Sequence, residues 1–420
     1  MSGHADDQSG SGDTITTWTP PTYNTEQPPT LLNSRGLPKD ANFPGNFARS
    51  AKWSPDGCVA LFHCENRSFQ ILTPTSEIVP QCLYQPAPVV DYAWYPSATV
   101  NNPATFCFLA SVRECPVKLL DASDGRLRAS YSIVDHRERQ IAPHCLSFNV
   151  NATKIYCGFE DAIEVFDVHR PGNNEGTRLH TTPSKKTKDG LKGIISSVAF
   201  CPDQTNEYFA AGTLAPSNFN VALFSELTGE KTLMWVGCEG LRNSVSQLKF
   251  NPTNPSVLYA SFRRNTRIYS WDLRGDTSIP LHVFQANDLD PGEISNQKLM
   301  FDIDYAGRWL GVGDHKGDVR LFDLWNTSHT DSQTKPLSPT LKYTAHEDAI
   351  GSVGFNPLKT WLLTVAGSRN FDDDASESDD SNGDSEGEGP RVITVKRRSN
   401  TKPVDTSIRL WDFAPAQGEQ

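Results

Sequence analysis

The sequence predicts an all-β fold in which seven four-stranded sheets close into a ring, a seven-bladed β-propeller. Two strand-like segments, each with its own ending, recur seven times along the chain, and 29 Gly with 29 Pro supply frequent turns. The 420 residues, 37% of them hydrophobic, suffice for one closed all-β body. An all-β sandwich with coincidental spacing is the alternative.

The first recurring segment is an apolar strand that ends in an aromatic residue followed by a turn. Five strong copies end in Trp53-Ser54-Pro55, Trp94-Tyr95-Pro96, Phe200-Cys201-Pro202, Phe250-Asn251-Pro252 and Phe355-Asn356-Pro357. Weaker copies end at Phe148-Asn149 and Phe301-Asp302-Ile303-Asp304. Successive anchors are 41 to 54 residues apart, a spacing that fits a four-stranded blade with its loops.

The second recurring segment alternates apolar and polar residues, which favours a strand over a helix. Its copies close on an apolar residue followed by Asp121, Asp167, Asp272, Asp323 and Asp412, with degenerate versions at Phe224-Ser225 and Ile71-Leu72. The pairs Trp271-Asp272 and Trp411-Asp412, with Ala345-His346, are typical of WD repeats. The blades are therefore predicted to be of the WD-repeat kind.

The third strand of the last blade ends at Asp412, and the few residues after it are not enough for a fourth strand. We expect Pro29-Thr30-Leu31-Leu32-Asn33 to supply the missing outer strand, because ring closure by the N-terminus covers an unpaired sheet edge. The predicted organisation is a disordered segment at 1–28, the propeller at 29–414 and a tail at 415–420.

The formal charge of −11 is concentrated in one segment. Nine carboxylates and no Lys or Arg lie between Asp372 and Glu388, so the rest of the chain is near neutral. We expect 369–405 to form a disordered loop within blade seven. Ser376, Ser381 and Ser385 each precede an acid by three residues and are candidate phosphorylation sites, against the simpler alternative of a solvated spacer.

Targeting and redox signals point to a reducing compartment. No apolar run reaches the length of a membrane span, and the polar start lacks the layout of a secretory signal, so a soluble, non-secreted protein is expected. Nine cysteines form no Cys-x-x-Cys pair, which argues against zinc. Lys396-Arg397-Arg398 is a weak candidate for nuclear import.

Catalytic patterns are missing from the sequence. It contains no Gly-x-Ser-x-Gly, His-Glu-x-x-His or phosphate-binding Gly-x-x-x-x-Gly-Lys, and its ten His are dispersed without metal-ligand spacing. We therefore predict a non-enzyme with no cofactor and no metal.

Cations concentrate on one predicted face of the ring, where the turns between strands two and three and the interblade loops emerge. Candidate RNA-binding residues there are Arg113, Lys185, Lys186, Lys192, Arg242, Arg263 and Arg264. Phosphates attract such cations, and His136, His144 and Phe262 are candidate stacking partners for unpaired bases. The alternative is that these charges are merely solvated, as most surface Lys and Arg are.

One further motif suits protein docking. Trp271, Asp272 and Arg274 fit the Trp-Asp-x-Arg box by which some propellers dock on cullin-based ubiquitin ligases. The structural alternative places Trp271 in the core and uses Asp272 and Arg274 to satisfy a local turn.

The chain resembles the telomerase Cajal body protein family of WD-repeat factors. The resemblance rests on these strings: Lys52-Trp53-Ser54-Pro55-Asp56-Gly57, Ser111-Val112-Arg113-Glu114-Cys115-Pro116, Gly125-Arg126-Leu127-Arg128-Ala129-Ser130, Arg170-Pro171-Gly172, Gly193-Ile194-Ile195-Ser196 and Trp271-Asp272-Leu273-Arg274. The fold does not require Arg170-Pro171-Gly172 or Gly193-Ile194-Ile195-Ser196, which makes them more specific than general WD-repeat marks. It covers roughly residues 43 to 326 well and blade seven weakly.

The resemblance implies recognition of a loop motif in box H/ACA-type small nuclear guide RNAs and in telomerase RNA. It implies nuclear localisation, in Cajal bodies or nucleoplasm with some protein in the cytoplasm, and partners among the proteins of guide-RNA, telomerase or spliceosomal RNPs. A monomer without membrane contact is expected. The competing function is a protein scaffold, such as a pre-mRNA-splicing accessory factor or a cullin-ligase substrate receptor.

Overall fold

The computed structural model describes residues 18–38, 40–73, 75, 81–172, 176–184, 186–187, 189–205, 207–229, 232–289, 294–327, 336–369 and 403–414. These residues form strands and no helix. In that part of the chain, accordingly, no helical segment has the length and apolarity that a bilayer crossing requires.

The strands follow one another along the chain with short turns between them. In order they are β1 (Thr30–Gly36), β2 (Ala48–Trp53), β3 (Ala60–Cys64), β4 (Ser68–Leu72), β5 (Gln81–Tyr84), β6 (Val89–Trp94), β7 (Cys107–Val112), β8 (Val117–Asp121), β9 (Leu127–Tyr131), β10 (Cys145–Phe148), β11 (Lys154–Phe159), β12 (Ala162–Asp167), β13 (Thr177–His180), β14 (Ile195–Phe200), β15 (Tyr208–Thr213), β16 (Val221–Ser225), β17 (Thr232–Val236), β18 (Val245–Phe250), β19 (Val257–Phe262), β20 (Arg267–Asp272), β21 (His282–Gln285), β22 (Asp302–Ile303), β23 (Trp309–Gly313), β24 (Asp318–Asp323), β25 (Leu341–Thr344), β26 (Ile350–Phe355), β27 (Trp361–Ala366) and β28 (Ser407–Asp412).

Seven antiparallel sheets of four strands make the seven blades, which confirms the predicted β-propeller. Blade one is β2-β3-β4-β5, and each following set of four strands forms the next blade, through β22-β23-β24-β25 in blade six. All seven anchors end an innermost strand, and the strand that precedes each Asp is the third of its blade. The two recurring segments therefore mark the same two positions in every blade.

The core of the ring lies between blades rather than within them. Apolar side chains form seven clusters, each shared by two neighbouring blades. Trp271, which is fully buried, packs in the cluster between blades four and five, and its indole Nε1 donates to the Gly237 carbonyl at 3.1 Å. Because every blade needs both neighbours to bury its faces, the ring has to close.

The N-terminal strand closes the ring, as predicted. Blade seven consists of β26-β27-β28 with β1 as its outer strand, in antiparallel register from Thr30 with Asp412 to Gly36 with Ser407. Packed structure begins before the predicted boundary at Pro29. Tyr23 is buried, and its ring centroid lies 5.3 Å from that of Phe355. Residues 1–17 of the predicted disordered segment, most of the 369–405 loop and the 415–420 tail lie outside the described residues.

Blade seven also contains the hydrogen-bond network behind its WD-type residues. His346 contacts the Thr364 hydroxyl at 2.7 Å through Nε2 and the Ser407 hydroxyl at 3.0 Å through Nδ1. Trp411 Nε1 donates to the same Thr364 hydroxyl at 3.0 Å. Burial lowers the pKa of His346, although Asp405 opposes this. The network ties β27 and β28 of blade seven to the loop that precedes the blade.

Candidate nucleic-acid interface

Loops emerge from the two faces of the disc in a fixed alternation. We call the upper face the one that carries the turns between strands two and three of each blade and the loops between blades. The lower face carries the turns between strands one and two and between strands three and four. This geometry follows from antiparallel strands running alternately up and down.

The turns of the upper face are tight and project their side chains outward. Several contain one residue in the left-handed backbone region, with φ of 62° at Arg67, 60° at Glu114, 58° at Asp161 and 52° at Arg264. Non-glycine residues seldom occupy this region. Such turns hold the backbone rigidly while leaving the flanking cations in solvent.

The predicted RNA-binding residues all map to this face where they are described. Arg113, Lys186, Arg242, Arg263 and Arg264 are exposed, and Lys192 is half-buried. Arg242 donates to Asn218 Oδ1 at 3.2 Å and Arg264 to Asn296 Oδ1 at 2.7 Å. Lys185 lies outside the described residues, as do Ser376, Ser381 and Ser385.

Arg113 and Arg263 come from opposite parts of the ring yet act on the same neighbour. Partial burial lowers the pKa of His144, and the charges of Arg113 and Arg263 lower it further. His144 stands in the loop between blades two and three, at the entrance of the central channel. Blades two and five thus direct cations toward one point, where they form no ion pair with any described carboxylate.

Sequence reasoning missed three further cations in the same place. Burial and the positive charges of Arg369 and Arg113 lower the pKa of Arg49, and the negative charge of Glu65 partly offsets this shift. The Glu65 carboxylate lies 3.5 Å from the Arg49 guanidinium and 2.6 Å from that of Arg369. Lys298 lines the channel, where burial and the charges of Lys52 and Arg263 lower its pKa against the pull of Asp91. The channel-mouth cluster is defined as Arg49, Arg113, His144, Arg263, Lys298 and Arg369.

Nothing in the sequence marked these three residues, because they lie far apart in it. Arg49 precedes Trp53 in an ordinary innermost strand, Lys298 follows a long interblade loop, and Arg369 begins the acidic insert. Their proximity is a product of ring closure. Only the arrangement of the blades around the channel brings them together.

Deeper in the channel the charges are paired. The innermost strands enclose a cavity of about 300 Å³, in which Lys52 lies 3.8 Å from Asp91 and Lys249 forms an ion pair with Asp302. Lys298 lines the same cavity as a third lysine beside these two aspartates.

Stacking residues differ from the expectation in one respect. His136 and His144 are exposed as predicted, but Phe262 is buried and offers no surface platform. Phe219, which sequence reasoning did not single out, is 40% exposed on the upper face of blade four, next to Asn218 and its partner Arg242.

The Trp-Asp-x-Arg residues lie on the lower face. Trp271 is buried in the core, and Arg274 donates to both carboxylate oxygens of Asp272, at 2.9 and 2.7 Å. The hydrogen bond and charge of Arg274 lower the pKa of Asp272. A docking partner can therefore reach the exposed Arg274 and the partly exposed Asp272, but not the buried Trp271.

No group of three or more His, Cys, Asp or Glu among the described residues is arranged to hold a metal ion. Burial raises the pKa of Cys64, Cys145 and Cys157 and thereby favours their unreactive thiol forms.

Comparison with known proteins identifies relatives over most of the chain. It is 28% identical over 348 residues to telomerase Cajal body protein 1 of Rattus norvegicus and 29% identical over 350 residues to that of Homo sapiens, in each case 80% of this chain. It is 26% identical over 368 residues to guanine nucleotide-binding protein negative regulator 1 of Schizosaccharomyces pombe, covering 83% of this chain and 86% of that protein. No family model matches the chain.

The resemblance to the telomerase Cajal body proteins is thereby confirmed, at identities of 28% and 29% for the rat and human proteins. The chain spans 61% of the length of the rat protein and 60% of the human one. The similarity therefore covers most of this chain and leaves a large part of those relatives unmatched.

Proposed function

We propose that this chain is a non-catalytic, RNA-binding scaffold that recognises small nuclear guide RNAs of the box H/ACA kind, telomerase RNA included. It holds them on the upper face of the propeller and supports their nuclear localisation and assembly into RNPs. The observation that carries the proposal is the channel-mouth cluster, in which cations of several blades converge without enough carboxylates to neutralise them.

Gathering cations into such a cluster costs free energy. Like charges at close range repel one another, and partial burial removes the water that screens them. The lowered pKa values of Arg49 and Lys298 record this cost. A polyanion at the channel mouth would relieve it, because phosphates replace the missing counter-charges and release condensed counterions.

RNA fits the surface better than an acidic peptide. Exposed flat side chains surround the cations, with His144 at the mouth and Phe219 on the neighbouring rim. Unpaired bases stack on such side chains, whereas an acidic peptide has no use for them. The proposed contact residues are the described cations Arg113, Lys186, Lys192, Arg242, Arg263 and Arg264, together with Lys185.

The names of the relatives support the cellular part of the proposal. Telomerase Cajal body protein 1 is named for telomerase and for a nuclear body, and a WD-repeat scaffold of that kind points to a non-enzyme. We therefore place this chain in the nucleus, with guide-RNA and telomerase RNPs as its partners. Nothing in those names supports a cytoplasmic fraction.

Crosslinking in cells tests the proposal. The tagged chain is irradiated in living cells, purified under denaturing conditions, and its bound RNA is sequenced. We expect enrichment of small nuclear guide RNAs, and loss of that enrichment in a variant with Arg113→Gln and Arg263→Gln. Recovery of a cullin adaptor in a parallel native purification, without RNA enrichment in the crosslinked sample, would instead support docking through Trp271, Asp272 and Arg274.

A further inference from the structure

A small cavity opens on the upper face between blades five and six. Its volume is about 50 Å³, and its apolar wall includes Phe262, Ile294, Leu299 and Val312. We call it the 5/6 pocket. At roughly 10 to 15 Å³ for each water held, it accommodates about four waters, which suffices for the edge of one base and is too little for a whole ring or a stacked pair.

Two buried polar atoms in this pocket have no hydrogen-bond partner. They are the hydroxyl oxygen of Ser261, a residue only 9% exposed, and Nε2 of His315. A buried polar atom without a partner costs free energy. Both atoms belong to side chains that line the same small cavity.

The hydrogen-bonding role of His315 follows from its neighbours. The backbone N–H of Leu289 donates to Asn287 Oδ1 at 3.0 Å, which fixes the orientation of that amide. The Asn287 amide nitrogen therefore donates to His315 Nδ1 at 2.9 Å. Since burial lowers the pKa of His315, the ring is neutral and carries its proton on Nε2. The unpaired atom is thus a donor.

Three arginines border the pocket. Arg263 and Arg264 lie in the turn before β20 and Arg267 is its first residue, and all three are exposed. None forms an ion pair with a described carboxylate. Arg264 also holds a left-handed backbone conformation at φ 52°, where glycine or asparagine is favoured.

We propose that the 5/6 pocket receives the edge of one unstacked base of the RNA bound on the upper face. The flat faces of the base pack against the apolar wall, with Phe262 as its buried aromatic member. His315 Nε2 donates to an acceptor on the edge of the base, and the Ser261 hydroxyl pairs with a neighbouring edge atom. Arg263, Arg264 and Arg267 bind the flanking phosphates. This inference rests on the proposed function.

The test uses a synthetic hairpin RNA that carries the loop of the RNA most enriched by crosslinking. Each loop base is removed in turn to leave an abasic sugar. We expect one position at which base removal weakens binding to the wild-type protein. We also expect Ser261→Ala to weaken binding of the intact hairpin about fivefold, the usual value of one lost hydrogen bond.

The effects of base removal and of Ser261→Ala on binding affinity should not be additive, because both changes abolish the same contact. The salt dependence of affinity should stay unchanged in Ser261→Ala, since no phosphate contact is lost. Its melting temperature should not fall, because an unpaired buried hydroxyl is removed. A structural role for Ser261 would produce the opposite result in the melting experiment.

Ser270→Ala is the matched control. Ser270 lies in the neighbouring strand of the same blade, and its hydroxyl is also buried and unpaired, but it does not line the pocket. If wild type binds the hairpin and Ser261→Ala behaves like Ser270→Ala, the pocket proposal fails and the RNA-binding function stands. If wild type does not bind, the proposed function itself fails.

Discussion

The two faces of the disc both carry exposed arginines, and they differ in what those arginines contact. On the lower face the side chains of Arg126, Arg170 and Arg274 are 68%, 77% and 69% exposed. Each nevertheless ends on an aspartate at the end of a third strand, at distances of 3.0, 3.7 and 2.7 Å. Arg113 and Arg263 on the upper face have no such partner among the described residues.

The difference shows that exposed charge alone does not identify a binding surface. The aspartate that ends the third strand is part of the repeat, so the lower face has a built-in counter-charge for nearby arginines. The turns between strands two and three carry an aspartate in some blades, such as Asp161 and Asp314, but no Asp or Glu in blades four and five. Cations placed there keep a positive potential that a polyanion can use.

The lower face should prove structural when its pairing is broken. Asp121, 2% exposed, accepts hydrogen bonds from Ser123 and Arg126 and, at 2.8 and 3.0 Å, from Arg128. Asp121→Ala leaves Arg128 partly buried without its counter-charge and should lower the free energy of unfolding by ~3 kcal/mol. Urea unfolding measures the loss.

Asp272→Ala is the control for that prediction. The Arg274 side chain is exposed, so water screens this pair and its loss should cost much less stability than the loss of Asp121. Neither variant should change RNA affinity at a temperature where it is folded. A loss of RNA affinity in Asp272→Ala would mean that the lower face also binds RNA.

The upper face should prove functional when its cations are removed. Replacing Arg113, Arg263 and Arg264 with Gln should weaken binding of the hairpin RNA about 50-fold near physiological salt, with each lost phosphate contact reducing the salt slope by ~0.7. Fluorescence anisotropy at several salt concentrations measures both quantities.

The matched control replaces Arg126, Arg170 and Arg274 with Gln and so removes the same charge from the lower face. Its affinity and salt slope should stay near wild type, because each removed cation was already paired. Equal losses in the two triple variants would show that net charge, and not its placement, determines binding.

The pH dependence of stability should separate the two faces as well. Burial, Arg49, Lys52 and Arg369 hold the pKa of His63 well below its ordinary value of 6.5. As the pH falls, this histidine therefore takes up a proton in the unfolded chain before it does so in the folded protein. The free energy of unfolding should decrease as the pH falls below about 6.5. On the lower face, Asp272 has a lowered pKa, so the stability that its negative charge provides should be lost only below about pH 4.

Urea unfolding of wild type and His63→Gln at neutral pH and at pH about 5 tests this assignment. The variant should lose less stability than wild type over that interval. An equal loss in both proteins would place the titrating group elsewhere.

The smallest effect is expected at Arg264. Asparagine tolerates its left-handed backbone better, so Arg264→Asn should leave stability unchanged or raise it by up to ~1 kcal/mol. RNA affinity should fall a few-fold through the loss of one cation. A stability loss would mean that the bond to Asn296 outweighs the backbone strain.

The repeat itself was predictable from the sequence because its signals are local. Alternating strands, aromatic anchors such as Trp53 and Phe250, and turn residues after them lie within a few positions of one another. The closing strand β1 was also predictable, because counting the repeated strands left blade seven one strand short. The outer strands left no such trace: β13, Thr177–His180, is mostly exposed and has no apolar alternation.

The site was only partly predictable, for a physical reason. Turn position identified Arg113 and Arg263, which lie in hairpins whose place in the blade is fixed. Arg49 and Lys298 reach the same point through ring closure, which joins residues hundreds of positions apart. The burial of Phe262 depends on the neighbouring blade, which its own strand cannot reveal.

The central claim is that RNA contacts the upper face at the channel-mouth cluster. Photocrosslinking of the purified protein to the hairpin RNA, followed by mass spectrometry of the crosslinked peptides, tests it most directly. We predict crosslinks in the upper-face loops, on peptides that contain Arg113, His144 and Arg263. Crosslinks confined to lower-face turns, such as those with Arg170 and Arg274, would contradict the account.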